Sequence, residues 1–400
     1  MRGLKFMVIL AGEFGGEKTK LAFFSHRYDE TLNKTILVEQ TASKSFDTMA
    51  YAHKGLENII DDFVREFHNE EEHIYCACFG VPAQVKEGSA TIKRLEQEMP
   101  LTENACKQKL PSRYQVIPVK LINDMVAIGY GMFLGKGELE LEQIYEGENE
   151  KEAKSTDRRS IMLVSDGLGQ SLWKWAENEE ALSPTSSEGG HCRFAAQTAQ
   201  EWELCLYIKK EIQKKLKEKG KESPLDKIKV RFENVLSRKG LVTIYKFLRD
   251  TGTYGEEPFN LREKIQQNEN NLDPLVKDIV RDIIENAIPL DTSTTPNDLC
   301  IATLEMFITI WGERAGDLGI TFEAKGGVYI GGISLDMTRL KEGLFVKAFL
   351  EKDIENSRNH ENNINIPLKI FKEEDIVLLG SARYIVEEVP TGKFALMAID

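Results

Sequence analysis

The stretch Phe6-Met7-Val8-Ile9-Leu10-Ala11-Gly12-Glu13-Phe14-Gly15-Gly16-Glu17-Lys18-Thr19-Lys20-Leu21-Ala22-Phe23-Phe24 sets the terms for the rest of the chain. An apolar run, a turn containing Gly15-Gly16 and a second apolar run predict a β-hairpin, with strands over 5–11 and 20–24 and a third over 35–40. The basic start before it, Met1-Arg2-Gly3-Leu4-Lys5, imitates a secretion signal. The apolar run is short, has no small-residue cleavage pattern and enters a glycine-rich turn, so a buried first strand is the better reading. Residues 47–67 then place Met49, Leu56, Ile59, Ile60, Phe63 and Phe67 at helical spacing, and strands are expected at 73–80 and 115–122. Hairpin, helix and strand in that order imply an α/β domain with a mixed sheet.

An apolar helix is expected after Asn123-Asp124, to about Leu134. Residues 136–159 form a polar insertion with seven glutamates from Glu138 to Glu152, read as a solvated loop or a partner-binding edge. A second set of strands is predicted at 161–165 and 171–175, and helices dominate from 194 to 318. Within them, 208–221 carries Lys209, Lys210, Lys214, Lys215, Lys217, Lys219 and Lys221, the pattern of a solvated helix face. Leu299, Ile301, Leu304, Phe307, Ile308 and Trp311 mark a long helix after Pro296. Gly326-Gly327-Val328-Tyr329-Ile330-Gly331-Gly332 reads as a buried strand entering a glycine turn, followed by a strand at 367–371 and a helix near 379–388. No repeat of fixed period is visible.

The chain has 400 residues, enough for two or three domains, and 41% are apolar, which excludes a wholly disordered chain. The formal charge, 52 − 65 = −13, argues against a nucleic-acid wrapper, which needs clustered Lys and Arg. Six cysteines with no Cys-x-x-Cys pair, and six scattered His, support neither a disulfide framework nor a structural zinc; no metal site is expected. Cys76 and Cys78 share a strand face and read as buried thiols. No apolar stretch approaches the ~20 residues of a membrane helix, so a soluble, cytoplasmic protein is expected.

Three glycine turns follow apolar strands: Gly12-Glu13-Phe14-Gly15-Gly16, Ser165-Asp166-Gly167-Leu168-Gly169 and Gly331-Gly332. Such turns let backbone amides approach a phosphate. Neither the P-loop nor the Rossmann glycine spacing occurs. Asn123-Asp124 stands where a strand stops and a helix starts. It is either an N-cap or a carboxylate at the C-terminal sheet edge, where open α/β folds hold ligands. In Ser187-Glu188-Gly189-Gly190-His191, two glycines can aim Glu and His into one cavity, as a sugar's hydroxyls require. Glu233, before Asn234-Val235-Leu236-Ser237, adds a carboxylate indistinguishable from surface charge on its own.

Taken together, these segments resemble the bacterial-type glucokinase family of the hexokinase and actin superfamily, from about residue 8 to 388. Gly12 to Lys20 occupies the place of a first phosphate loop resembling Gly-Asp-x-Gly-Gly-Thr-Asn-x-Arg. Ile122-Asn123-Asp124-Met125 is similar to the family's Ile-Asn-Asp-Phe, and the Glu-Gly-Gly-His sugar loop is intact as Glu188 to His191. Glu233 to Ser237 matches Glu-x-Val-Leu-Ser, and the adenosine-side glycines resemble Gly326 to Gly332. The resemblance implies a two-domain actin-like (ribonuclease H-like) α/β fold with a cleft between domains. The smaller domain would be 1–122 plus 381–400, and the larger 123–380, with insertions near 136–159 and 208–228. It implies Asp124 as general base on the sugar 6-hydroxyl, with Asn123, Glu188, His191 and Glu233 on the other hydroxyls. Gly12, Glu13, Gly15, Gly16, Gly167, Gly169, Gly331 and Gly332 would line ATP-Mg.

The nucleotide side departs from that pattern. Glu13 stands for Asp, Glu17 for Thr, Lys18 for Asn and Lys20 for Arg. The second loop, normally resembling Gly-x-Gly-Thr-Gly-Leu-Gly, is two residues shorter and gains Asp166, the adenosine turn reads one residue short, and Thr91-Ile92 replaces Thr-Asn. Two like charges about 4 Å apart repel by ~4 kcal/mol at an effective dielectric near 20, almost three decades in affinity. The expectation is therefore a glucokinase-family hexose-binding protein with ATP-dependent 6-phosphorylation impaired or lost, and no nucleotide cofactor in the extreme case. An active glucokinase using ATP and Mg2+, and a non-enzymatic regulatory or interaction protein, stand beside it. Partners would be glucose or a related hexose, a second copy in a homodimer, or a protein contacting the acidic insertion, with no nucleic acid and no membrane.

Overall fold

The N-terminal hairpin begins a five-stranded sheet. Its strands are β1 (Phe6–Phe14), β2 (Lys18–Asp29), β3 (Lys34–Asp47), β4 (Glu72–Val81) and, after a separate two-stranded hairpin, β7 (Val119–Asn123). Their spatial order is β3-β2-β1-β4-β7. The first three run antiparallel, whereas β1, β4 and β7 run parallel. The structure, a computed structural model, describes residues 6–29, 34–69, 72–94, 97–133, 141–147, 157–175, 182–267, 275–291, 293–333, 343–351, 358–371 and 375–388.

Side-chain alternation gives this sheet two apolar faces. Val8, Leu10, Leu21, Phe23, Ala77 and Phe79 join a core with Ile59, Ile60, Phe63 and Val64 of α1 (Asn58–Phe67). The hairpin β5 (Ser89–Arg94) and β6 (Gln97–Thr102) and the short α2 (Glu103–Gln108) add Ala90, Ile92, Met99, Leu101 and Cys106 to that core. The C-terminal helix Ile376–Glu388 packs on β1, β4 and α3 (Asp124–Phe133). Glycine permits this crossing: a Cβ on Gly380 would lie 1.7 Å from the Ala127 carbonyl oxygen, and one on Gly131 2.6 Å from that of Ile376. Cys76 and Cys78 are buried free thiols on β4, their pKa values pushed up by desolvation.

A second sheet has six strands: β8 (Leu141–Tyr145), β9 (Arg159–Val164), β10 (Leu168–Trp175), β11 (Leu182–Ser187), β12 (Val328–Gly332) and β13 (Leu368–Phe371). Its order is β11-β10-β9-β12-β13-β8. Here too three consecutive strands run antiparallel, and β12 and β13 continue parallel to the first of them. The repeat absent from the sequence is present in the topology. Between β11 and β12 the described α-helices are α4 (Ala199–Glu218), α5 (Arg238–Thr251), α6 (Phe259–Gln267), α7 (Val276–Ala287) and α8 (Asp298–Phe322). Phe307, Ile310 and Trp311 of α8 sit at the centre of this second core.

One expectation changes. Residues 141–145, inside the insertion read as a solvated loop or a partner-binding edge, form β8 and pair antiparallel with β13, Leu368 facing Tyr145. The insertion residues 136–140 and 148–156 lie outside the described residues. The chain divides into two compact units, Met1–Leu139 with Lys372–Asp400, and Glu140–Phe371. The glycine-mediated contact of α3 with Ile376–Glu388 places both helices in the first of them. No helix of the described residues is long and apolar enough to cross a membrane.

Candidate functional site

In the second unit, Glu188 leaves β11 and begins a short 3-10 turn, Gly189–His191. Glycine is required twice in it. A Cβ on Gly189 would lie 1.9 Å from Gln170 Oε1, and one on Gly190 2.2 Å from the Leu168 carbonyl oxygen. The chain then pairs with 230–232: the Phe194 amide donates to the Val230 carbonyl at 3.1 Å and the Phe232 amide to the Cys192 carbonyl at 2.9 Å. This ladder brings Glu233 to His191. His191 Nδ1 lies 3.1 Å from Glu233 Oε1, and Nε2 lies 3.5 Å from Glu188 Oε2. Arg231 donates to the His191 carbonyl at 2.8 Å, and Ser237 Oγ donates to that of Glu233 at 2.8 Å. The three side chains are joined by the fold, yet Glu188 is 71% and His191 50% exposed. Such an exposed trio adds little to stability and is free to exchange its contacts for a ligand's hydroxyls.

In the first unit, β7 ends at Asn123 and α3 begins at Asp124. Asn123 has the N-cap role: its Oδ1 accepts from the Met125 amide at 3.0 Å, and its Nδ2 donates to the Ala83 carbonyl at 3.2 Å. Asp124 Oδ1 accepts from the same amide at 2.8 Å. The half-buried carboxylate thus stands in the positive end of a helix. The N-cap reading of Asn123 holds at this turn, and Asp124 follows it at the end of the β7 sheet edge.

The glycine turns prove to be the first hairpin of each sheet plus the end of β12. Gly12 lies inside β1, where a Cβ would meet Leu21 and Phe79 at 2.5 and 2.6 Å, so packing alone demands it. Glu13 is opposite Lys20 in register, and Lys20 is ion-paired with Asp375. At the turn, the Gly15 amide donates to the Lys18 carbonyl at 3.1 Å, and Thr48 Oγ1 donates to that of Gly15 at 2.9 Å. Gly16 has the Arg94 side chain 3.3 Å from where its Cβ would be. In the second unit, Gly332 (φ +115°) would set a Cβ 1.9 Å from the Val164 oxygen, and Gly331 packs on Phe371. Gly332 pairs with Val164 at the end of β9, so Gly331-Gly332 and Ser165–Gly169 are neighbours. Gly169 pairs with Leu163, while Gly167 has open space around it.

Two arginines missed in the sequence change the electrostatics of these turns. Arg94 lies 3.5 Å from Glu17 Oε1, and Arg238 donates to Asp166 Oδ1 at 3.0 Å. Both guanidinium side chains are mostly buried, at 18% and 19% exposure. The Arg238 amide also donates to the Ser165 carbonyl at 2.8 Å, which sets the N-terminus of α5 beside this loop. The picture of bare carboxylates repelling phosphate is therefore corrected: Glu17 and Asp166 are each neutralised by an arginine. The arginines are equally neutralised. Taken separately, the first loop has Gly15 and Gly16 crowded by the Lys18 carbonyl and the Arg94 side chain, and the second has open space at Gly167 beside a helix N-terminus; in each the guanidinium is already paired with a carboxylate, so the fit of each to ATP-Mg is incomplete. No cluster of three His, Cys, Asp or Glu able to hold a metal occurs among the described residues.

A family model described as Glucokinase matches residues 10–388. The chain belongs to the glucokinase family. A glucokinase of Nostoc sp. is similar at 27% identity over 384 residues, 94% of this chain and 98% of the relative. A crystal structure of glucokinase from an Antarctic psychrotroph aligns over 97% of this chain and 100% of its own, with TM-score 0.64 and 20% identity. A glucokinase from Balamuthia mandrillaris in complex with glucose aligns over 96% of this chain and 94% of its own, with TM-score 0.63 and 16% identity. The two sheets of like topology are those of the two-domain actin-like fold shared by glucokinases. In this glucokinase-family chain, the segments whose order suggested the family all lie within the matched span.

Proposed function

We propose that this chain binds glucose, with Glu188, His191 and Glu233 on its hydroxyls, and phosphorylates it poorly because its phosphate-side arginines are already engaged. The observation that carries the sugar half is His191 held between two carboxylates, 3.1 Å from Glu233 and 3.5 Å from Glu188. Alternating acceptors and a ring that can donate suit vicinal hydroxyls, each of which both gives and accepts. Asn123 adds an amide, and Asp124 is the group suited to take the proton of the 6-hydroxyl. ATP-Mg, when bound, supplies the phosphoryl group; transfer then depends on positioning and charge neutralisation rather than on covalent work by the protein.

An active glucokinase is the second reading, favoured by Arg94 and Arg238 beside glycine loops: a phosphate could displace Glu17 or Asp166 from them. A coupled assay for glucose 6-phosphate separates the two, run beside calorimetry with glucose and with ATP-Mg. Glucose binding is expected in calorimetry, with turnover small. In Glu188→Ala, the lost hydrogen bonds should weaken glucose about tenfold, in line with ~1–3 kcal/mol per buried bond broken. No heat with millimolar glucose and folded protein would remove the sugar assignment.

A further inference from the structure

One buried guanidinium in the second unit remains unused by the reading above. We propose that Arg314 is a positioning residue for the Glu188–His191–Glu233 trio, an inference that rests on the assignment of that trio to a sugar. Arg314 is on α8, with its side chain 12% exposed. Its guanidinium carbon stands 4.4 Å over the centre of the Phe232 ring. Its NH2 donates to Gln170 Oε1 at 3.3 Å, and NH1 lies 3.5 Å from Asp317 Oδ2 one turn along the helix.

Those partners are the two supports of the trio. Phe232 precedes Glu233, packs edge-on against Phe194 at 5.7 Å and donates its amide to Cys192, the residue after His191. Gln170 is 1% exposed and pairs in register with Ser187, the residue before Glu188. Its amide oxygen lies so close to Gly189 that a Cβ there would come within 1.9 Å. A single flat cation therefore holds the floor under Glu188-Gly189 and the ring under Glu233, fixing the spacing of both carboxylates about His191. The group is an expensive choice for stability alone. Its Nε–H is buried with no hydrogen-bond partner, and a buried ion pair is often no more stabilising than apolar side chains of the same volume, although removing one partner alone costs stability. Geometric definition of the trio accounts for keeping it.

The test is glucose calorimetry on the full chain, with thermal melting beside it. Arg314→Met keeps the volume but loses the plane and the donors, and should weaken glucose about tenfold while leaving the affinity for ATP-Mg at its wild-type level. Asp317→Asn removes only the intrahelical ion pair; it should lower the melting temperature as much as Arg314→Met does, yet leave the glucose affinity within twofold. Arg314→Lys, which keeps the charge and the stem, should fall between wild type and Arg314→Met, and serves as the readout if Arg314→Met does not fold. Wild-type glucose affinity in folded Arg314→Met or Arg314→Lys would overturn the positioning role. Equal losses of glucose affinity in Asp317→Asn and Arg314→Met would also overturn it, leaving a purely structural arginine. Wild-type protein that takes no glucose would instead remove the sugar assignment itself, a separate failure.

Discussion

If Glu17 holds Arg94 away from phosphate, releasing that arginine should raise the affinity for ATP-Mg. The separation of 3.5 Å between Glu17 Oε1 and Arg94 NH2 corresponds to roughly 5 kcal/mol of attraction at an effective dielectric near 20. Glu17 is 38% exposed, so solvent and salt screening reduce the usable part to about 1 kcal/mol. A charge-assisted bond from a freed guanidinium to a phosphate contributes about 1.5–3 kcal/mol, and the net gain is of the order of one decade in affinity. Glu17→Thr should therefore tighten ATP-Mg about tenfold, measured by calorimetry at fixed ionic strength. A double-mutant cycle makes the cause specific. Arg94→Met alone should leave the weak wild-type affinity unchanged or slightly weaker, whereas Arg94→Met in the Glu17→Thr background should erase the gain, a coupling of about 1.4 kcal/mol. Tight wild-type ATP-Mg binding that Glu17→Thr weakens would refute the reasoning, because Glu17 would then be a working part. So would strictly additive effects in the cycle.

Two further expectations concern stability against pH, and their signs are opposite. Burial, with Glu201, Asp317 and Glu351 nearby, pushes the Glu313 carboxyl up to about 7. The unfolded chain ionises first, so stability present at pH 4 is lost as pH rises toward 7; Glu313→Gln should stabilise the protein by about 1–2 kcal/mol at pH 8 and hardly at all at pH 4, read from urea midpoints. Burial lowers His26 from 6.5 to about 4, and its Nε2 has no hydrogen-bond partner. The unfolded chain protonates first, so stability present at pH 7 is lost as pH falls from 6.5 toward 4. His26→Phe should remove about 2–3 kcal/mol of that acid-side decline, and an unchanged acid limb in the variant would count against it.

Much of the first sheet was legible because its determinants are local. The run Val8 to Ala11, the Gly15-Gly16 turn and Leu21 to Phe24 fix a hairpin by alternation and turn chemistry, and β1 and β2 form there. The Glu188-Gly189-Gly190-His191 turn was legible from its two consecutive glycines, although what demands them, the approach of Gln170 and Leu168 on β10, is not local. β8 was hidden because Leu141–Tyr145 lies among glutamates, and its edge position beside β13, where all five residues are half-buried, tolerates polar side chains. The close crossing of α3 and Ile376–Glu388 was hidden because Gly380 and Gly131 draw two sequence-distant helices together, and no local pattern announces which helices will cross closely.

The phosphate side differs in kind, since what decides it is pairing between residues far apart in the chain. Glu17 and Asp166, read alone, are added negative charge; with Arg94 and Arg238 beside them, each is half of a neutral pair. An acid–arginine pair thus stands at the first hairpin turn of each sheet, Glu17 with Arg94 in one and Asp166 with Arg238 in the other. An acid paired with an arginine at both turns argues that the acids are accommodated parts of the fold rather than isolated damage. A carboxylate already bound to its arginine also resembles, in charge and geometry, the phosphate it would have to yield to. If either turn takes a phosphate, binding there is a competition between an internal anion and an external one. The internal anion is tethered, so it has the advantage of high effective concentration, and a nucleotide must bring several phosphate contacts at once to displace it.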